Sequence, residues 1–169
     1  MGKLIRIGEF NVRGTKLICT DPCYNFASDG TYIVNGVKPG VWNGFILTKV
    51  SSEVEIVEKL IAVHSSTPLN LIDFKQVCTN LNVDSGQMAI CDLLDYTLDD
   101  DEYDKYCHIT LDNLAGLVGQ YNSIKPYYTG DFSLHRAYAI VSRTGWGDGT
   151  YSLYIEQDNE NVIGVMIEF

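Results

Sequence analysis

With 169 residues, 46% of them hydrophobic and 20% charged, the chain has the size and make-up of one globular domain spanning 1–169, able to bury a core without staples. A formal charge of −10 excludes general attraction to nucleic acid or anionic membranes unless a local basic patch overrides it. No run approaches the ~18 consecutive apolar residues of a spanning helix, and Met1-Gly2-Lys3-Leu4-Ile5-Arg6 lacks the apolar stretch of a secretory signal, so a cytoplasmic protein is expected.

In chain order, the first third reads as strands. Leu4–Phe10 alternates loosely, and Lys16–Thr20 is a short apolar run halted by Asp21-Pro22. Thr31–Val34 and Val37 flank Asn35-Gly36, a dipeptide that accepts positive φ and predicts a tight hairpin. Val41–Val50 is rich in β-branched and aromatic residues. Glu53-Val54-Glu55-Ile56 alternates strictly and predicts a strand continuing to His64, with another at Leu69–Val77. Val83–Leu94 holds a turn, Asp84-Ser85-Gly86, and then an apolar run.

A helical insert is expected in the middle. Asp99, Asp100, Asp101 and Glu102 suit a first helical turn, with Tyr103, Tyr106 and Cys107 as a buried stripe. Thr110-Leu111-Asp112-Asn113 starts a second helix, weakened by Gly116 and Gly119. Arg136–Ser142, Thr150–Glu156 and Val162–Phe169, separated by short polar turns, predict an antiparallel meander. The expected fold is therefore mainly β or α+β: a curled antiparallel sheet or two packed sheets, a central helical insert and a C-terminal meander.

Three polar, turn-rich segments concentrate the residues able to do chemistry. In Thr20-Asp21-Pro22-Cys23-Tyr24, Pro22 restricts its own φ and the conformation of Asp21. Cys23 is a nucleophile only if a base makes its thiolate, and His64, His108 and His135 are the candidates. The plainer reading is a buried thiol beside a turn-capping Asp. Val83-Asp84-Ser85-Gly86-Gln87 has an ordinary turn composition and lacks the Gly-x-Ser-x-Gly elbow of a hydrolase. In Arg143-Thr144-Gly145-Trp146-Gly147-Asp148-Gly149, glycines permit close approach, Trp146 can stack on a planar ring, and Arg143 can hold an anion. A plain hairpin loop is the alternative.

Other signals are weaker. Five scattered cysteines (Cys19, Cys23, Cys78, Cys91, Cys107) form no Cys-x-x-Cys pair and read as reduced, buried thiols. Asp21, Asp84, Asp92 and Asp148 could gather round a hard cation, but no twelve-residue calcium loop exists, so neither metal nor cofactor is expected. The acidic run Asp92–Asp112 reads as a solvated surface.

Asp21-Pro22-Cys23-Tyr24, Val83-Asp84-Ser85-Gly86-Gln87 and Gly147-Asp148-Gly149-Thr150-Tyr151 together resemble, in order and approximate spacing, an uncharacterised family of small bacterial and phage proteins. The resemblance implies a compact β-rich domain whose three motifs converge on one site; it carries no activity. Three functional classes remain. One is a non-catalytic binding protein for a small polar, nucleotide-like ligand, such as a phage-encoded sponge for a host immune signal. It would use Asp21, Tyr24, Asp84, Ser85, Gln87, Arg143, Trp146 and Asp148, and association into a homo-oligomer is open. Another is a small hydrolase using Cys23 or an Asp pair. The third is an acidic protein-interaction module.

Overall fold

Period-two alternation dominates the pattern of burial. Along the strand Gly40–Ser51, Trp42, Gly44, Ile46 and Thr48 are buried while the residues between them are partly open. The computed structural model describes residues 2–22, 24, 29–96, 130–131 and 139–169. Among these the regular structure is strand, apart from single 3-10 turns at Leu69–Leu71 and Leu93–Asp95. The strands are β1 (Lys3–Val12), β2 (Lys16–Thr20), β3 (Tyr32–Asn35), β4 (Gly40–Ser51), β5 (Val54–His64), β6 (Lys75–Val83), β7 (Gln87–Asp92), β8 (Gly130–Asp131), β9 (Ala139–Arg143), β10 (Gly149–Gln157) and β11 (Val162–Glu168). No helix among the described residues is long and apolar enough to cross a membrane.

Two antiparallel sheets result, ordered β1-β4-β5-β11-β10-β6 and β3-β2-β7-β9-β8. Their facing sides supply one core: Phe10, Trp42, Ile46, Leu60, Leu153 and Ile167 from the larger sheet meet Leu17, Cys19, Met88, Ile90 and Ile140 from the smaller. Gly44 lets the sheets come close, since a β-carbon there would fall 2.7 Å from the Ile140 side chain. A second cluster lies on the outer side of the larger sheet, where Leu69, Ile72 and Phe74 pack over Phe45, Ile61, Val63, Met166 and Tyr154.

That outer cluster corrects one expectation. Leu69–Val77 is strand only at its end: Leu69, Ile72 and Phe74 belong to a short turn and a covering loop, and β6 begins at Lys75. Asn35-Gly36 makes no hairpin either. Gly36 does take φ +68°, but Val37 then bridges to Val162 in the larger sheet, so the dipeptide carries the chain between sheets. The hairpin partner of β3 is β2. The β4–β5 turn instead falls at Ser52 and Glu53, with φ +49° and +70°, which takes Glu53 out of the expected strand. The C-terminal strands are divided as well: β10 and β11 pair as neighbours, whereas β9 lies in the smaller sheet beside β7. The expected helices over 99–118 fall outside the described residues.

The chain therefore crosses from sheet to sheet four times among the described residues: at 13–15, 36–39, 84–86 and 144–148. Two of these corners, 84–86 and 144–148, hold Asp84, Ser85, Trp146 and Asp148.

Candidate functional site

Corners need partners for backbone groups that have left the sheet ladder. At the end of β2, Asp21 is fully buried, and its carboxylate serves the 84–86 corner. Oδ2 accepts from the amides of Asp84 and Ser85, both at 2.8 Å, and Oδ1 accepts from the Ser85 hydroxyl at 2.7 Å. The 144–148 corner packs against the same place. The Thr144 amide donates to the Gly86 carbonyl at 2.9 Å, and its hydroxyl bonds the carbonyls of Gly86 and Gly147. The Tyr151 hydroxyl donates to the Gly147 carbonyl at 2.7 Å. Gly86 and Gly147 take φ +67° and +79° and pass each other closely. Gly145 is demanded by packing: a β-carbon would run into the Val57 carbonyl of the larger sheet.

Tyr24 stands over this junction. Its carbonyl accepts from the buried Tyr96 hydroxyl at 2.5 Å, and its own hydroxyl donates to Asp84 Oδ2 at 2.6 Å. Desolvation, the bond to Asp84 and the negative charges of Asp84, Asp21 and Asp148 push the phenol well above its ordinary range. It stays protonated at neutral pH and keeps donating to Asp84.

Thus Asp21, Tyr24, Asp84, Ser85 and Asp148, drawn from three distant segments, lie together. Asp84 and Asp148 are exposed, Tyr24 and Ser85 half-buried. Trp146 belongs to the same corner but extends toward the larger sheet. It is 60% exposed, with the Lys49 ammonium 5.7 Å from its ring centroid. Lys49 also pairs with Glu58 at 2.8 Å. Gln87 and Arg143 are register partners on β7 and β9. Since Met88, Ile90 and Ile140 point into the inter-sheet core, alternation turns Gln87 and Arg143 to the opposite face. Arg143 and Trp146 therefore serve different sides of the corner.

The residues expected elsewhere separate. Cys23, His108, His135 and most of the acidic run lie outside the described residues. His64 sits at the far end of β5 from Val57, about 23 Å along the strand. Asp92 ends β7 about 17 Å from Gln87. There it repeats the role of Asp21, accepting from the amides of Arg13 at 2.8 Å and Leu94 at 3.2 Å, with the Arg13 guanidinium 3.9 Å away. Among the described residues no group of three or more His, Cys, Asp or Glu is arranged to hold a metal. Cys19, Cys78 and Cys91 are free thiols. Burial pushes Cys19 and Cys91 up, which makes them poor nucleophiles.

Tyr96, Thr144 and Tyr151 organise the junction although none was named as a ligand-contacting residue. Thr144 lies within the third polar segment and Tyr151 ends the motif that overlaps it, whereas nothing in the sequence pointed to Tyr96. Chemically, the arrangement offers fixed acceptors, the fixed and half-exposed phenol of Tyr24 and an accessible indole. Comparison with family models, curated proteins and solved structures finds no match.

Proposed function

We propose that the protein is a non-catalytic binding protein that holds a small polar, nucleotide-like ligand where the 84–86 and 144–148 corners meet the 21–24 segment, as a phage-encoded sponge for a host immune signal would. The observation that carries this reading is Tyr24, pinned through its carbonyl by Tyr96 and through its hydroxyl by Asp84, beside the exposed carboxylates of Asp84 and Asp148. Groups already fixed before binding lose little freedom on binding, and small-molecule sites pair a few such groups with aromatic surface.

The carboxylates suit the N–H donors of a base's amine edge, and Trp146 suits its π face. Lys49 beside the indole supplies a cation for a phosphate. Arg143 and Gln87 would join only for a ligand that reaches round the edge of the smaller sheet. Binding is favoured over hydrolysis because the Asp21 carboxylate is committed to the 84–85 turn and His64 lies far off.

The test is the fluorescence of Trp146 during titration with a panel of cyclic and linear nucleotides. A bound base should quench it. Trp146→Ala, followed by equilibrium dialysis because it lacks the reporting indole, and Tyr24→Phe should each weaken binding by about tenfold or more while leaving the unfolding midpoint in place. Affinity that survives both substitutions removes the site.

A further inference from the structure

At the other end of the sandwich, His64 closes β5 and is 7% exposed. Its Nε2 lies 3.1 Å from the Pro39 carbonyl oxygen. Its Nδ1 lies 3.2 Å from the Ser66 amide nitrogen and 2.8 Å from the Ser66 hydroxyl. A carbonyl only accepts, so Nε2 carries the hydrogen; an amide only donates, so Nδ1 is bare. The neutral ring thus joins two stretches of chain: the strap 38–40 between β3 and β4, and the turn 65–67 after β5.

Each element packed on the ring contributes. The Trp42 indole meets it edge-on at 5.9 Å and donates from Nε1 to the Lys38 carbonyl at 2.9 Å. Gly40, at φ +126°, brings the strap close, since a β-carbon there would fall 2.9 Å from Nε2. The cation facing the site is Lys38, whose Nζ lies 3.2 Å from the Ser66 hydroxyl and 4.0 Å from Asp158. Asp158, on the β10–β11 turn, is the opposing carboxylate and already accepts from the amides of Glu160 and Asn161.

We propose that His64 is an acid-operated latch on this end of the sandwich. Neutral, it ties the 38–40 strap to the 65–67 turn; protonated, it lets them part. An incoming proton has one place to go, Nδ1. There it turns the acceptor of the Ser66 amide into a second donor facing it. The Ser66 hydroxyl can rotate to accept from the new N–H, but the amide cannot. The same proton puts positive charge in a site with little water, beside Lys38. Burial first, then Lys38, lowers the affinity of the ring for a proton, against the opposing pull of the Pro39 bond and Asp158.

The direction follows from linkage. The opened strap frees a histidine that protonates near its ordinary value of 6.5, above the closed one. Closure is therefore fully favoured above that value and is lost as pH falls through it toward the closed-state value. Across this window the opening equilibrium rises by up to about tenfold per pH unit.

The experiment is an NMR titration of the whole chain from about pH 8 to about pH 4.5, following the His64 ring and amide protection together. His64 is assigned by loss of its signal in His64→Gln or, should that variant not fold, by its proximity to the Trp42 indole. The expected result is a ring titrating below 6.5, with Ser66 protection collapsing over the same range while Ile167 on β11 keeps its own. A ring that titrates at or above 6.5, or Ser66 protection unchanged through the titration, overturns the latch.

Discussion

The Asp21 carboxylate and the Ser85 hydroxyl meet at 2.7 Å, joining the end of β2 to a corner 64 residues further along the chain. With the amides of Asp84 and Ser85 on the same carboxylate, one buried side chain satisfies most of a turn. Removing it strands two amide donors where water is scarce. Asp21→Ala should destabilise by about 3 kcal/mol, and Ser85→Ala by about 1 kcal/mol. Urea unfolding of both single variants and the double variant measures each loss. The double variant should lose less than the sum, because both changes break the same bond.

Gly145 makes a different demand. Its backbone lies against the Val57 carbonyl with no room for a methyl group. Gly145→Ala should destabilise by about 2–3 kcal/mol and shift the emission of Trp146 as the corner lifts from the larger sheet. A stable variant with unchanged emission would mean that the corner is loosely seated.

Ser142 offers the opposite sign. Its hydroxyl is buried on β9 without a hydrogen-bond partner among the described residues. Ser142→Ala discards an unsatisfied polar atom at almost no change in volume, so it should stabilise by about 1 kcal/mol. For a chain of this length that corresponds to a rise of roughly 2–4 °C in the melting temperature, readable by calorimetry.

Glu168 supplies a pH test of the larger sheet. The Lys59 ammonium at 2.9 Å, and then the Tyr154 hydroxyl, hold its carboxyl below the ordinary glutamate value. A depressed carboxyl adds stability above its unfolded value and loses it as pH falls through the folded one. Glu168→Gln should therefore be less stable than the parent at neutral pH, and the gap should close as the pH falls below the ordinary glutamate range. A gap that persists at low pH would show that the loss is packing and not charge.

Much of the fold was legible where local pattern and tertiary setting agree. The β-branched and aromatic content of β4 and the polar turn between β10 and β11 give strands close to their observed limits. Legibility failed where an apolar run serves another purpose: Leu69, Ile72 and Phe74 are apolar because they cover a sheet face. It also failed at Ser52-Glu53, a turn with positive φ at two residues that carry no glycine or asparagine signature. Asn35-Gly36 had the signature but spends it on a crossing between sheets. The three polar segments were visible singly. Their meeting was implied by the resemblance alone and not by composition or spacing, because it depends on which corners of two sheets adjoin. Nor does spacing reveal that Asp21 caps a turn 63 residues away.

The most direct test of the binding account is to incubate the purified protein with a panel of cyclic and linear nucleotides and to chromatograph the mixture before and after heat denaturation. The account predicts that one compound disappears into the protein and returns chemically intact, and that Trp146→Ala leaves it in solution from the start. Return of that compound as a product would contradict the account and make the corner of Asp21, Asp84 and Asp148 a place of turnover.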